Sequence, residues 1–164
     1  KQMETAGDMH ALRNFTYENF LNDRALKSAE SVRTQLSRIL ERLGLQINTT
    51  SFNDPMYYTN MRKALTSGLF MHVAHLQRAG NYTTVKDNKV VALHPSSVIT
   101  HKPEWVLYND LVLTKKFYLR TCLQIKGEWL IELAPQYYDS DLFQPGETKA
   151  AIMAMQAAGV RPGA

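Results

Sequence analysis

Cysteine is nearly absent from this sequence: Cys122 is the only one in 164 residues. That excludes an intramolecular disulfide and a cysteine-built zinc site. The lack of a disulfide framework fits a cytosolic or nuclear protein. Cys122 lies in the apolar run Tyr118-Leu119-Arg120-Thr121-Cys122-Leu123 and reads as a small buried hydrophobe. No stretch approaches the roughly 18 apolar residues of a membrane span. Lys1-Gln2-Met3-Glu4-Thr5 has no hydrophobic signal core, and a start at Lys1 rather than Met suits a piece of a longer protein. A Gly-x-x-x-x-Gly-Lys-Ser/Thr phosphate loop is also missing, since Gly146-Glu147-Thr148-Lys149 has the wrong spacing and no strand before it. The chain alone is therefore not expected to hydrolyse ATP, and no catalytic residue is assigned.

What is present suits a globular core. Hydrophobic residues make up 45% of the chain and charged ones 21%. The net charge is a modest +4, unevenly placed. Residues 24–78 hold eight Lys/Arg against three Asp/Glu, while residues 80–140 hold seven against six. The basic excess lies in the helical part, which favours an anionic partner as much as a solvated basic face.

Apolar residues at three- and four-residue spacing (Ala25, Ala29, Val32, Leu36, Ile39, Leu40, Leu43) predict an amphipathic helix over 25–43. Ser28 or Asp23 is the expected N-cap, and Gly44 follows the last periodic residue. Asn48 to Pro55 reads as a connector. Asp54-Pro55 predicts the start of a second helix over 56–78. That helix would carry Met61, Ala64, Leu65, Leu69, Met71, Val73 and Leu76, with Gly68 inside it, which a close backbone approach would explain though the sequence shows none. Beyond Gly80 the pattern turns to β. A hairpin is expected over 82–93 about Asp87-Asn88, with strands from Trp105 to Thr114 and from Phe117 to Leu123 about Lys115-Lys116. Alternation puts Phe117, Leu119 and Thr121 on one face and Tyr118, Arg120 and Cys122 on the other. A short helix over Glu128 to Leu133 stops at Pro135. A further helix is expected after Pro145, before a flexible Arg161-Pro162-Gly163-Ala164 end. The fold class is α+β: N-terminal helices, then a small OB-like β-barrel with a short C-terminal helix. These patterns do not separate it from an SH3-like barrel.

Five ordered blocks carry a resemblance: Tyr82-Thr83-Thr84-Val85-Lys86-Asp87-Asn88, Leu93-His94-Pro95-Ser96-Ser97, Pro103 to Asp110 with Leu113-Thr114, Tyr118-Leu119-Arg120-Thr121, and Glu128-Trp129-Leu130 with Ala134 to Tyr138. Together they resemble the OB-fold region at the C-terminus of DEAH-box RNA helicases. Asn19 to Leu26 and Val32 to Leu36 resemble the end of that family's ratchet-like helical domain. Arg62 to Leu65 with Gly68 to Met71 resembles the helix entering its barrel. The resemblance covers roughly residues 7–140 and is closest to the splicing and ribosome-assembly branch. The segment between Gly7-Asp8 and Phe15-Thr16-Tyr17 is shorter than the family's, and the Asp-Glu-Ala-His motor motif is absent.

The resemblance implies three regions: 1–54 as the end of the ratchet-like domain with a connector, 55–140 as the OB fold with its leading helix, and 141–164 as a tail. It implies an accessory, RNA-handling part of an ATP-dependent helicase of pre-mRNA splicing or ribosome biogenesis. ATP and magnesium would belong to the motor domains, with no cofactor in this chain. The implied partners are single-stranded RNA, the motor domains and a glycine-patch activator, without a membrane, in the nucleus and also in the cytoplasm. The alternative is an interaction module docking that activator. From the residues themselves, Lys115, Lys116, Tyr118 and Arg120 combine cations for phosphates with an aromatic for stacking. Asn109 and Thr114 could add hydrogen bonds, and Arg33 and Arg38 could meet phosphates from the helical part. His72 and His75 lack a third metal ligand. His94 with Ser96 or Ser97 lacks an orienting acid. Trp105 and Trp129 are expected in the core.

Overall fold

The computed structural model describes residues 9–159, which fall into two units divided between Thr49 and Thr50. Lys1–Thr5, Gly7-Asp8 and the Arg161–Ala164 end lie outside the described residues.

In the first unit, α1 spans Met9–Glu18 and α2 spans Asp23–Arg42. The cap of α2 is neither Ser28 nor Asp23. Asn22 takes it from an extended conformation, accepting the Ala25 N–H at 3.0 Å. Asp23 instead sits in the first turn, where it pairs with Lys27 at 2.9 Å. Gly44, at φ +69, ends the helix as expected. The Leu45 N–H reaches Leu40 O and the Gly44 N–H reaches Glu41 O, satisfying two carbonyls a helix end leaves free.

The second unit begins with α3, Tyr57–Leu69. Asp54 prepares it, its carboxylate accepting the Met56 N–H at 2.7 Å. The expected run to residue 78 is wrong in its last third. The chain turns after Leu69, with His72 N–H bonded to Leu69 O, and Val73–Leu76 forms strand β1. Ala74 and His75 pair on both sides, with β2 (Tyr82–Thr84) and with β4 (Trp105–Leu113), while Leu76 pairs with β2 and Val73 with β4. Two ladders outweigh the helical spacing of Val73 and Leu76. Gly68 has open space around it, so no close approach accounts for it.

Strand β3 is Val90–Leu93, antiparallel to β2 as expected of the 82–93 hairpin. The turn is longer than two residues. Thr84 Oγ1 donates to Asp87 at 2.6 Å and accepts the Lys89 N–H at 2.9 Å, while Asn88 adopts φ +51. Strand β5, Phe117–Ile125, pairs antiparallel with β4 and parallel with β3. The parallel pairing closes the barrel in the order β1-β2-β3-β5-β4. The expected α+β fold with an OB-like barrel is thus observed. Helix α4, Glu128–Leu133, and α5, Glu147–Ala157, complete the unit.

Two apolar clusters hold it together. Ala74, Tyr82, Val91, Val106, Tyr108 and Leu119 fill the barrel. Val73, Trp105, Leu107, Ile125, Trp129, Leu130 and Ile152 join the outer wall to the helices. Both tryptophans are core, as expected. The half of β4–β5 nearest α3 and α4 is therefore apolar on both faces, whereas the other half is apolar on one.

The simple alternation expected for β5 fails at Thr121, which has φ +52. Pairing is continuous from Trp105↔Ile125 to Tyr108↔Cys122 and resumes at Asp110↔Arg120, skipping Asn109 and Thr121. Across this step the inward set changes phase. Phe117, Leu119 and Cys122 line the barrel, while Leu123 and Ile125 pack outward against the helices. Thr121 is thus exposed rather than sharing the face of Leu119.

Candidate nucleic-acid interface

The phase change leaves four consecutive positions of the hairpin polar and exposed: Asn109 and Asp110 on β4, Arg120 and Thr121 on β5. Towards the tip, Tyr118 stands half-buried two residues from Arg120, on the same outward face. The tip closes tightly, Leu113 pairing with Phe117 and the Thr114 N–H reaching Lys116 O at 3.1 Å. Thr114, Lys115 and Lys116 are all exposed there. The ammonium of Lys116 lies 5.2 Å from the Tyr118 ring centre. His94, at the end of β3, meets that ring edge-on at 5.5 Å.

Six expected site residues (Asn109, Thr114, Lys115, Lys116, Tyr118 and Arg120) therefore lie on one strand-turn-strand unit. Among the described residues, none of its three cations makes an ion pair. Arg33 and Arg38 belong to the other unit. Arg33 lies 3.7 Å from Glu30 on α2, and Arg38 is exposed.

The sequence offers His94 only as half of a nucleophilic pair. Its Nδ1 lies 2.7 Å from Ser96 Oγ and also accepts the Ser96 N–H at 3.1 Å, a turn-closing arrangement. Among the described residues no carboxylate pairs with the ring, so a catalytic relay is incomplete. With Nδ1 accepting the Ser96 N–H, a neutral ring carries its proton on Nε2, and the ring as a whole stands beside Tyr118. The signal for this role was the parallel pairing of β3 with β5, which sequence alone does not reveal.

His72 and His75 do not share a helix face. His75 is buried in β1, stacked on Trp105 at 4.2 Å, and its Nδ1 lies 3.1 Å from both Thr148 Oγ1 and Gln77 Nε2. His72 precedes the strand and stacks on Tyr108 at 5.4 Å. No group of three metal-capable side chains occurs among the described residues. Cys122 is half-buried against the barrel interior, and burial pushes its thiol up to about 11, far from a reactive thiolate.

The support behind the interface is rigid. Arg62 on α3 bonds Gln124 O through Nε at 2.8 Å and through Nη2, and lies 5.2 Å from the Trp129 ring centre. Lys63 bridges to Glu132 on α4 at 2.7 Å. These contacts pin the far end of β5, so the free half of the hairpin projects from a fixed base.

A closed five-stranded barrel with an exposed cationic and aromatic hairpin is the frame on which oligonucleotide binding is built. Residues 61–137 match the family model of the oligonucleotide/oligosaccharide-binding (OB) fold. The match takes in most of α3, every strand and α4, and ends one residue before the buried Tyr138. The second unit thus carries an OB fold, and the candidate interface lies wholly inside the matched segment. Among the described residues no helix is long and apolar enough to cross a membrane.

Proposed function

We propose that this chain is the RNA-gripping accessory region of an ATP-dependent DEAH-box RNA helicase of the splicing or ribosome-biogenesis branch, working in the nucleus. The observation that carries the RNA reading is the free β4–β5 hairpin, where Lys115, Lys116 and Arg120 surround half-exposed Tyr118 without an ion pair among the described residues. Ammonium and guanidinium groups neutralise phosphates, and a tyrosine ring takes a base by stacking. The ordered sequence blocks supply the helicase context, and the OB-fold match is in keeping with it. In this reading the motor domains, with ATP and magnesium, move the strand, while the barrel holds it and limits slipping.

The test is fluorescence anisotropy of labelled single-stranded RNA at two salt concentrations. Binding in roughly the micromolar range that weakens with salt is expected. Lys115→Ala and Arg120→Ala should each lower the slope of log affinity against log salt by about 0.7. Unchanged affinity and slope in both variants would remove the hairpin from the interface.

A second reading is docking of a glycine-patch activator. Its supporting feature is an apolar cleft lined by Phe70, Leu133, Pro135 and Tyr137. Calorimetry with a glycine-patch peptide separates the two: a peptide that binds more tightly than RNA favours docking, and a silent peptide removes it for this chain.

A further inference from the structure

The polar notch at the phase change contains a residue that phosphate binding does not call for. Asp110 is the one carboxylate between Trp105 and Ile125, and it stands directly opposite Arg120. An acid in a phosphate-gripping surface repels the ligand. A cross-strand Asp–Arg pair ordinarily resolves this by forming a salt bridge. Here the pair is not bridged, and neither side chain has a hydrogen-bond partner among the described residues. An unengaged acceptor and an unengaged donor fork therefore sit side by side. Tyr118, one outward position nearer the hairpin tip on β5, lies diagonal to Asp110, at about the 7–8 Å that separates diagonal neighbours on one sheet face.

We infer that Asp110 is a specificity-determining residue of this hairpin and that it makes the interface favour guanine in single-stranded RNA. The inference rests on the RNA reading above. A base stacked on Tyr118 turns its Watson–Crick edge toward Asp110 and Arg120. Guanine alone offers two adjacent N–H donors on that edge, N1–H and N2–H₂, which a carboxylate takes as a bidentate, charge-assisted pair. Its O6 is then placed to accept from Arg120. Uracil offers the carboxylate one donor, flanked by two acceptors that repel it. Lys116, now over the ring, moves to the neighbouring phosphate. The phase change at Asn109 and Thr121 is what brings Asp110 outward beside Arg120 instead of leaving it in register with Val106 and Tyr108, which line the barrel.

The experiment compares the full chain and its Asp110→Ala variant on two RNAs of equal length. One contains only uridine, and the other carries guanosine at alternate positions. Inosine, which lacks the N2 amino group, replaces guanosine in a third. The wild-type chain should bind the guanosine RNA roughly fivefold or more tightly than the uridine RNA, the lower range for one bidentate base contact. Inosine should fall between them. Asp110→Ala should lose the guanosine advantage and bind the uridine RNA at least as tightly as the wild type, because a repelling charge is gone. Equal affinities of the wild type for all three RNAs, with salt-sensitive binding intact, would overturn the inference and leave the RNA reading standing. A guanosine advantage that survives Asp110→Ala would overturn it as well. Loss of binding to every RNA at low salt would overturn the RNA reading itself.

Discussion

Thr121 is a β-branched residue at φ +52, a backbone region such side chains rarely occupy. Its cost, of order 1–3 kcal/mol, is carried because both apolar clusters depend on the phase change it produces. Thr121→Gly relieves the side-chain penalty while loosening the unfolded chain. A net gain of about 1 kcal/mol is expected, seen as a melting temperature about 2–4 °C higher. A lower melting temperature would mean that the threonine side chain, not the backbone, sets this conformation. The position also marks where the sequence stopped being readable. Tyr118 and Arg120 lie on the same side of the kink, so period-two reasoning placed them correctly on one outward face. Thr121 and Cys122 lie at or beyond it and were misplaced, because a threonine gives no local sign of a left-handed conformation. Asp110 gives no sign of its outward position for the same reason, since that position depends on the same break.

At the scale of elements, the helices that cap and stop on local signals were legible. Asp54-Pro55 opens the approach to α3, Gly44 closes α2, and Pro135 follows α4. The error was β1, whose apolar residues at 73 and 76 fit a helical period and whose pairing partners lie up to 34 residues away, at Leu107. That strand also builds the contact with α5. Burial lowers the pKa of His75, against the opposing pull of Glu104 at 3.6 Å and of Glu147 on α5. Gln77 donates to Nδ1, so the neutral ring is the form that fits. A lowered folded-state pKa means that the unfolded chain binds the proton more readily. Stability is then fully present above the ordinary histidine value of about 6.5 and declines as pH falls below it. Urea midpoints should drop between pH 7.5 and 5.5, and His75→Gln should flatten that decline. An unaltered decline in the variant would assign it to other groups. A second tie is the Tyr138 hydroxyl, which donates to Phe70 O at 2.6 Å just past the end of α3. Tyr138→Phe leaves that carbonyl without its partner and should cost about 1–3 kcal/mol in the urea midpoint.

At the scale of the molecule, every residue of both apolar clusters lies between Leu69 and Met155, inside the second unit. No residue of α2 is buried, and its Val32, Leu36 and Ile39, with Leu43 just past its end, are exposed. A unit that contains its own core folds without outside help. Residues 50–164 alone should therefore unfold cooperatively, with a melting temperature within a few degrees of the full chain. The same fragment divides the RNA reading into its parts. It keeps Lys115, Lys116, Tyr118 and Arg120 and loses Arg33 and Arg38. Were the hairpin sufficient, the fragment would retain the affinity and salt slope of the full chain. A slope reduced by about 0.7 for each lost phosphate contact would bring the α2 arginines into the interface. A fragment that folds as stably as the full chain yet binds no RNA would place the whole grip on the first unit and refute the barrel hairpin as its seat.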